Sequence, residues 1–152
     1  MSSNDKNIAK QRDDHMLVEK GLYAATGVTA PTKAGTPTYS SDIDLGFALP
    51  NVKDARLADI GVLVSAPAHA VASLPNAKTY LVSVCGGTAA SPTAIILGDV
   101  ITQLGAGGVG CVAAEVTVKL PTNCPRYIRA KVVCSTTTLT TNAGTFDISL
   151  VF

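Results

Sequence analysis

Three stretches in the last third of the chain alternate apolar and polar residues with a period of two, and this pattern limits the possible folds most strongly. In Cys111–Leu120, one face holds Val112, Ala114, Val116, Val118 and Leu120, and the other holds Ala113, Glu115, Thr117 and Lys119. In Arg126–Ser135, Ile128, Ala130, Val132 and Cys134 alternate with Tyr127, Arg129 and Lys131. In Gly144–Phe152, Phe146, Ile148, Leu150 and Phe152 alternate with Thr145, Asp147 and Ser149. Successive side chains of a strand point to opposite faces, so this pattern predicts antiparallel strands with one face in a core. Ser41–Gly46, Asp59–Ser65, Thr79–Cys85 and Thr93–Thr102 read as further short strands, the last broken by Gly98. Seven or eight such segments, separated by turn residues, predict an all-β protein: an antiparallel β-sandwich or jelly roll. Residues 5–20 make no helical stripe, because Ile8, Met16, Leu17 and Val18 do not share a face.

The sequence changes character near residue 40. Eight charged residues of balanced sign crowd the first 20 positions, and residues 27–41 are rich in Thr, Pro, Gly and Ser. Such a segment has too few apolar groups to build a core. The expected organisation is an extended polar N-terminal arm, 1–40, and a jelly-roll β domain, 41–152. An arm of this kind pins against a neighbour, or folds back on its own domain.

The formal charge is +1 and only 15% of residues are charged. That gives no general pull toward nucleic acid or an anionic membrane. No apolar run reaches the roughly 20 residues a membrane helix needs, and the first 15 residues lack a signal-peptide hydrophobic segment. The expectation is a protein made in a cytosol, or assembled there into something larger. Cys85, Cys111, Cys124 and Cys134 form no CxxC pair, so free, mostly buried thiols are expected, with no metal and no cofactor.

Few residues suggest chemistry. Gly105–Gly110 spells GxGxxG, but that fingerprint needs a helix directly after it, and the best strand pattern in the chain follows instead. A glycine-rich loop between strands is the reading. His15, beside Asp13 and Asp14, and His69, in an alanine-rich stretch, have no nucleophile motif nearby. Asp42 and Asp44 fall on one face of a regular strand, where a solvated outer face outweighs a Ca²⁺ site or an acid/base pair. The outward row Tyr127, Arg129 and Lys131 is the better candidate, since Tyr and Arg are favoured at protein interfaces. With Arg12 and His15 of the arm it makes the candidate partner surface, against which stands a solvated sheet face. No catalytic residue is assigned.

The segment LPTNCPRYIRAKVVCSTTTLTTNAGTFDISLVF, residues 120–152, resembles the C-terminal signature of the jelly-roll cement proteins of tailed phages. The matching elements are Pro125–Arg129 and Ala143–Phe146, joined by a Thr-rich turn. In pattern the likeness runs from about residue 41 to the end; in letters it covers about 30 residues. The resemblance implies a job without chemistry: binding the outer surface of a phage head and stabilising contacts between major capsid protein subunits, as a dimer or trimer, on the virion. Residues 1–40 are longer than that family requires. The competing function is a head fibre or a carbohydrate- or receptor-binding jelly roll. Against it stands the scarcity of aromatic rings, with no Trp, four Tyr and three Phe to stack on sugars.

Overall fold

The computed structural model describes residues 26–46, 60–135 and 144–151. Among them are nine strands and no helix: β1 (Thr26–Thr29), β2 (Thr38–Tyr39), β3 (Ile43–Asp44), β4 (Gly61–Ala66), β5 (Thr79–Gly87), β6 (Ile95–Leu104), β7 (Ala114–Lys119), β8 (Tyr127–Cys134) and β9 (Thr145–Val151). They form two antiparallel sheets, one in the order β1-β9-β4-β7 and the other β2-β8-β5-β6, with β3 also paired to β8. The protein is a β-sandwich. After β6 the chain changes sheet at each step, so β7 and β9 lie in one layer and β8 in the other.

The alternation explains the layers. Ile128, Ala130 and Val132 of β8 face Phe146, Ile148 and Leu150 of β9 across the core, with Val62, Val64, Tyr80, Val82 and Val84, and every one of these is buried. Burying such side chains contributes roughly 1.5–3 kcal/mol each, which is what holds two sheets face to face. The strand register ties the sheets together in sequence: Val62 sits opposite both Val118 and Leu150, so β4 is central in its layer.

Four sequence expectations differ from the structure. Residues 26–40, read as part of an arm, supply β1 and β2 to the edges of the two sheets. Val28 and Ala30 are buried, and Thr26–Thr29 pairs with β9. An edge strand needs only one hydrogen-bonded neighbour, so a Thr- and Gly-containing segment suffices there. Val112, expected to face inward, is 80% exposed. The strand begins at Ala114, because Gly108 and Gly110 adopt positive φ and turn the preceding loop out of register. Gly98 does not end its strand. β6 continues through a bulge at Asp99, whose φ is +46° and whose amide donates to Ser83 Oγ at 3.1 Å. Ser41–Gly46 contributes only the two residues of β3, after which Leu45 is buried at the bottom of the core. Residues 1–25, which include Arg12, His15 and the 5–20 stretch, lie outside the described residues, as does Phe152.

Candidate functional site

Two surfaces of the sandwich carry chemistry that the core does not consume. The first is the outer face of β8. Alternation sends Tyr127, Arg129 and Lys131 outward, each of them half-buried. The guanidinium of Arg129 stacks 3.9 Å from the ring centroid of Tyr39, which its strand partner Lys131 brings alongside. Arg129 Nε donates to the Pro92 carbonyl at 2.7 Å, and Nη2 donates to the Ser91 carbonyl at 3.2 Å. The Ser91 amide in turn donates to Asp42 Oδ2 at 2.6 Å. These contacts strap the β5–β6 connection, residues 88–94, across the outside of the sheet. Pro92 then packs over Gly87, where an added Cβ would come within 2.9 Å of it. Arg129 therefore holds a loop as well as standing on an outer face, and its planar fork suits two carbonyls in a way an ammonium does not.

The strap explains why Cys85, on the outer side of β5, is fully buried and donates to the Thr93 carbonyl at 3.5 Å. Burial pushes its thiol pKa up, although Lys131 and Arg129 nearby pull the other way. Cys124, also buried, is pushed up to about 11 by desolvation. All four cysteines are free thiols, and only Cys111 is partly accessible. At the lower end of β8, Arg126 grips Asp44 with two bonds, Nε to Oδ1 at 2.8 Å and Nη2 to Oδ2 at 2.9 Å. Its guanidinium also lies 5.1 Å from the centroid of the Tyr127 ring. The Arg126 hydrogen bond, aided by the Gly46 amide, holds the Asp44 carboxyl down to about 2. The carboxylates of Asp42 and Asp44, a pair on sequence grounds, are thus engaged by separate partners.

The second surface is the opposite end of the sandwich, where residues 67–78 meet residues 105–113. Here a groove of about 550 Å³ is lined by Ala68, His69, Ala70, Leu104, Val109 and Val112, among others. Val109 is 78% exposed and Leu104 57%, and Val71, next to Ala70, is 44% exposed. The floor is rigid. The backbones of His69 and Cys111 bridge in both directions at 2.8 and 2.9 Å, and Gly110 passes so close to the His69 carbonyl that no Cβ fits. His69 is buried between Tyr80 and Phe146, with ring centroids 4.8 and 5.6 Å away. Its Nε2 lies 2.6 Å from Gln103 Oε1. Gln103 Nε2 donates to the carbonyls of Pro67 and Val112, which orients the amide so that Oε1 is the acceptor and His69 Nε2 the donor. That histidine nitrogen anchors the loop and is committed to its amide partner.

The glycine-rich segment is a loop between β6 and β7, as its sequence predicts. Alternation by itself does not reveal the apolar end. A signal existed: the eleven residues from Leu104 to Ala114 include four glycines, two exposed valines and no charge. Valines set between glycines cannot all follow a strand's inward phase.

No protein-family model matches this chain, and no curated protein does. Three solved structures are similar in part. The K1 cleaved adhesin domain of Lys-gingipain from Porphyromonas gingivalis shares 18% identity over 84% of this chain and 82% of its own, with a TM-score of 0.35. The CBM22-1–GH10 modules of Clostridium thermocellum xylanase 10B, complexed with xylohexaose, share 10% identity over 84% of this chain, with a TM-score of 0.37. Xylanase 10C of Cellvibrio japonicus, complexed with xylopentaose, shares 9% over 84%, with a TM-score of 0.38. This chain spans 24% and 27% of the two xylanase chains. Likeness at this level carries no argument about function.

Proposed function

We propose that this β-sandwich is a non-catalytic module that works by docking on protein, and that it decorates the outside of a tailed-phage capsid, clamping neighbouring major capsid protein subunits. The observation that carries docking is the groove at the aliphatic end of the sandwich, whose lining holds no Lys, Arg, Asp or Glu. Exposed contiguous apolar surface on a folded domain marks a contact site, and aliphatic side chains without charge suit protein better than sugar or phosphate. The capsid as the docked surface rests on the resemblance of Pro125–Arg129 and Ala143–Phe146 to the cement-protein signature. A clamp of this kind needs no cofactor and no nucleic acid, and many copies on one shell convert a modest affinity into firm attachment. Residues 1–25, which lie outside the described residues, are the part of the expected arm proposed to add further contact. The test is co-sedimentation of the pure full chain with undecorated capsids, followed by heating. Saturable binding and a raised temperature of capsid disruption are expected. Capsids that neither retain the chain nor gain heat stability sink the reading.

A second reading, a carbohydrate- or receptor-binding module, is favoured by one feature. Tyr39 and Tyr127 stand half-buried on the outer face of one sheet, and tyrosine rings can stack on sugars. Each ring already has a guanidinium nearby, from Arg129 and Arg126 respectively. Calorimetric titration with xylohexaose and a panel of other oligosaccharides discriminates: saturation that Tyr39→Ala abolishes supports sugar binding over the capsid.

A further inference from the structure

We infer that the open edge of β7 accepts a strand of the docked protein, an extended segment that pairs antiparallel with Glu115 and Thr117 and then enters the groove. The inference rests on the protein-docking reading above and gives the form of the partner.

The backbone of β7 is half used. The Leu120 amide donates to the Ile60 carbonyl at 3.0 Å, which fixes the phase of the ladder with β4. In an antiparallel ladder the bonded residues alternate, so Val118, Val116 and Ala114 turn their amides and carbonyls to β4. Glu115 and Thr117 turn theirs away from the sheet, because β7 ends the order β1-β9-β4-β7. Among the described residues nothing bonds to those outward groups. The other described edges are built to refuse a strand. β2 has two residues, β1 has four with Gly27 among them, and β6 is bent by its bulge at Asp99. β7 runs six residues without glycine, proline or bulge.

Side chains set the partner's chemistry. Val116 and Val118 lie on the inner side, partly buried against the core, and the apolar residues of an added strand complete their cover. Glu115 and Lys119 stand exposed on the outer side. An antiparallel neighbour that offsets both carries an acid beside Lys119 and a base beside Glu115, so its acid precedes its base in sequence. Its C-terminal end then runs toward the groove, since Val112 of the lining lies two residues before β7 begins. From Thr117 back to Val112 an extended chain covers roughly 17 Å, so a segment of about eight residues spans edge and groove together. The groove end must be aliphatic, because no lining residue carries a charge to pair with. A second copy's β7 meets the charge rule but not this one. Its next residues are Leu120, buried in its own core, and Pro121.

The test is amide hydrogen exchange of the full chain, read by NMR. The probe is the synthetic peptide acetyl-Val-Glu-Val-Thr-Val-Lys-Val-Leu-amide at about 1 mM, roughly ten times a dissociation constant of about 100 μM. Exchange at Glu115 and Thr117 is expected to slow by about tenfold, whereas Val116 and Val118, already bonded to β4, are slow with or without peptide. The same peptide N-methylated at its Thr and Lys, which face β7, should lose the effect, and N-methylation of the valines between them should not. Thr117→Pro removes one outward amide and leaves the β4 ladder whole, so peptide binding should weaken by about tenfold or more. If that variant unfolds, the N-methylated peptides carry the comparison. Unchanged exchange at Glu115 and Thr117 overturns the inference. So does slow exchange there in the peptide-free chain that deepens with protein concentration, because it puts a second copy on the edge. Co-sedimentation with undecorated capsids separates the two readings. Capsids that hold wild type and Thr117→Pro alike refute the edge alone, whereas a chain that takes the peptide but ignores capsids refutes the capsid reading alone.

Discussion

Single side chains in this sandwich act through what they leave satisfied. The Tyr80 ring fills the core between the sheets, and its hydroxyl donates to the Ser73 carbonyl at 3.2 Å. Desolvation there pushes its pKa up to about 12, so it stays a neutral donor. Tyr80→Phe keeps the ring and strands the carbonyl, and urea unfolding should report a loss of about 0.5–1.5 kcal/mol. Gly110 is less forgiving. Its φ is +75°, and a Cβ would collide with the backbone of His69 and Ala70. Gly110→Ala is expected to cost at least about 2–3 kcal/mol, visible as a lower denaturation midpoint, because the loop must break its bridge to accommodate the methyl. Asp44 gives the chain a pH-dependent contact. Its pKa falls from the ordinary 3.8 to about 2 through Arg126, so the pair's contribution is complete above the unfolded value and is lost as pH falls toward the folded one. The gap in thermal midpoint between wild type and Asp44→Asn should therefore be open at about pH 6 and close between about pH 4 and pH 2. Both groups are well exposed, so the gap is small at high salt.

At the scale of elements, the strap over the outer face and the edge strand β1 are the two features whose removal has a defined consequence. Arg129 is the only described side chain that donates to both Ser91 and Pro92, and Asp42 holds the Ser91 amide from the other side. Arg129→Lys keeps the charge but loses the fork. Lifting of residues 88–94 should follow, with a faster reaction of Cys85 toward a thiol reagent. Measured in a Cys111→Ser background, a rate unchanged from the parent would show that the strap does not depend on the guanidinium. β1 covers the hydrogen-bonding edge of β9 and puts Val28 into the core. A chain lacking residues 1–31 should unfold at lower urea and aggregate as concentration rises, because the β9 edge then lies open. A chain lacking only residues 1–24 retains that strand, and the difference in urea midpoint between the two truncations measures what β1 contributes.

Over the whole molecule, the two ends of the sandwich differ in kind. One is apolar, glycine-rich and stiff, and the other carries Asp42, Asp44 and Arg126. The all-β class, the sandwich and the inward residues of β8 and β9 were legible in the letters, because a period of two leaves a strand with one buried side only one way to face. Ile128, Ala130, Val132, Cys134, Phe146, Ile148 and Leu150 are all buried as that rule requires. Residues whose role depends on a distant partner were not legible. Nothing local to Arg129 announces Tyr39, Ser91 or Pro92, and nothing local to Thr26–Thr29 announces that β9 has an open edge to accept it. The apolar end came from tertiary structure too. Val112 continues an alternation on paper, but it is turned out to solvent because the bridge at Cys111 and the positive φ of Gly108 and Gly110 stop the strand short. Periodicity is set by neighbours along the chain, whereas an exposed apolar surface is set by which loops the fold brings to one end.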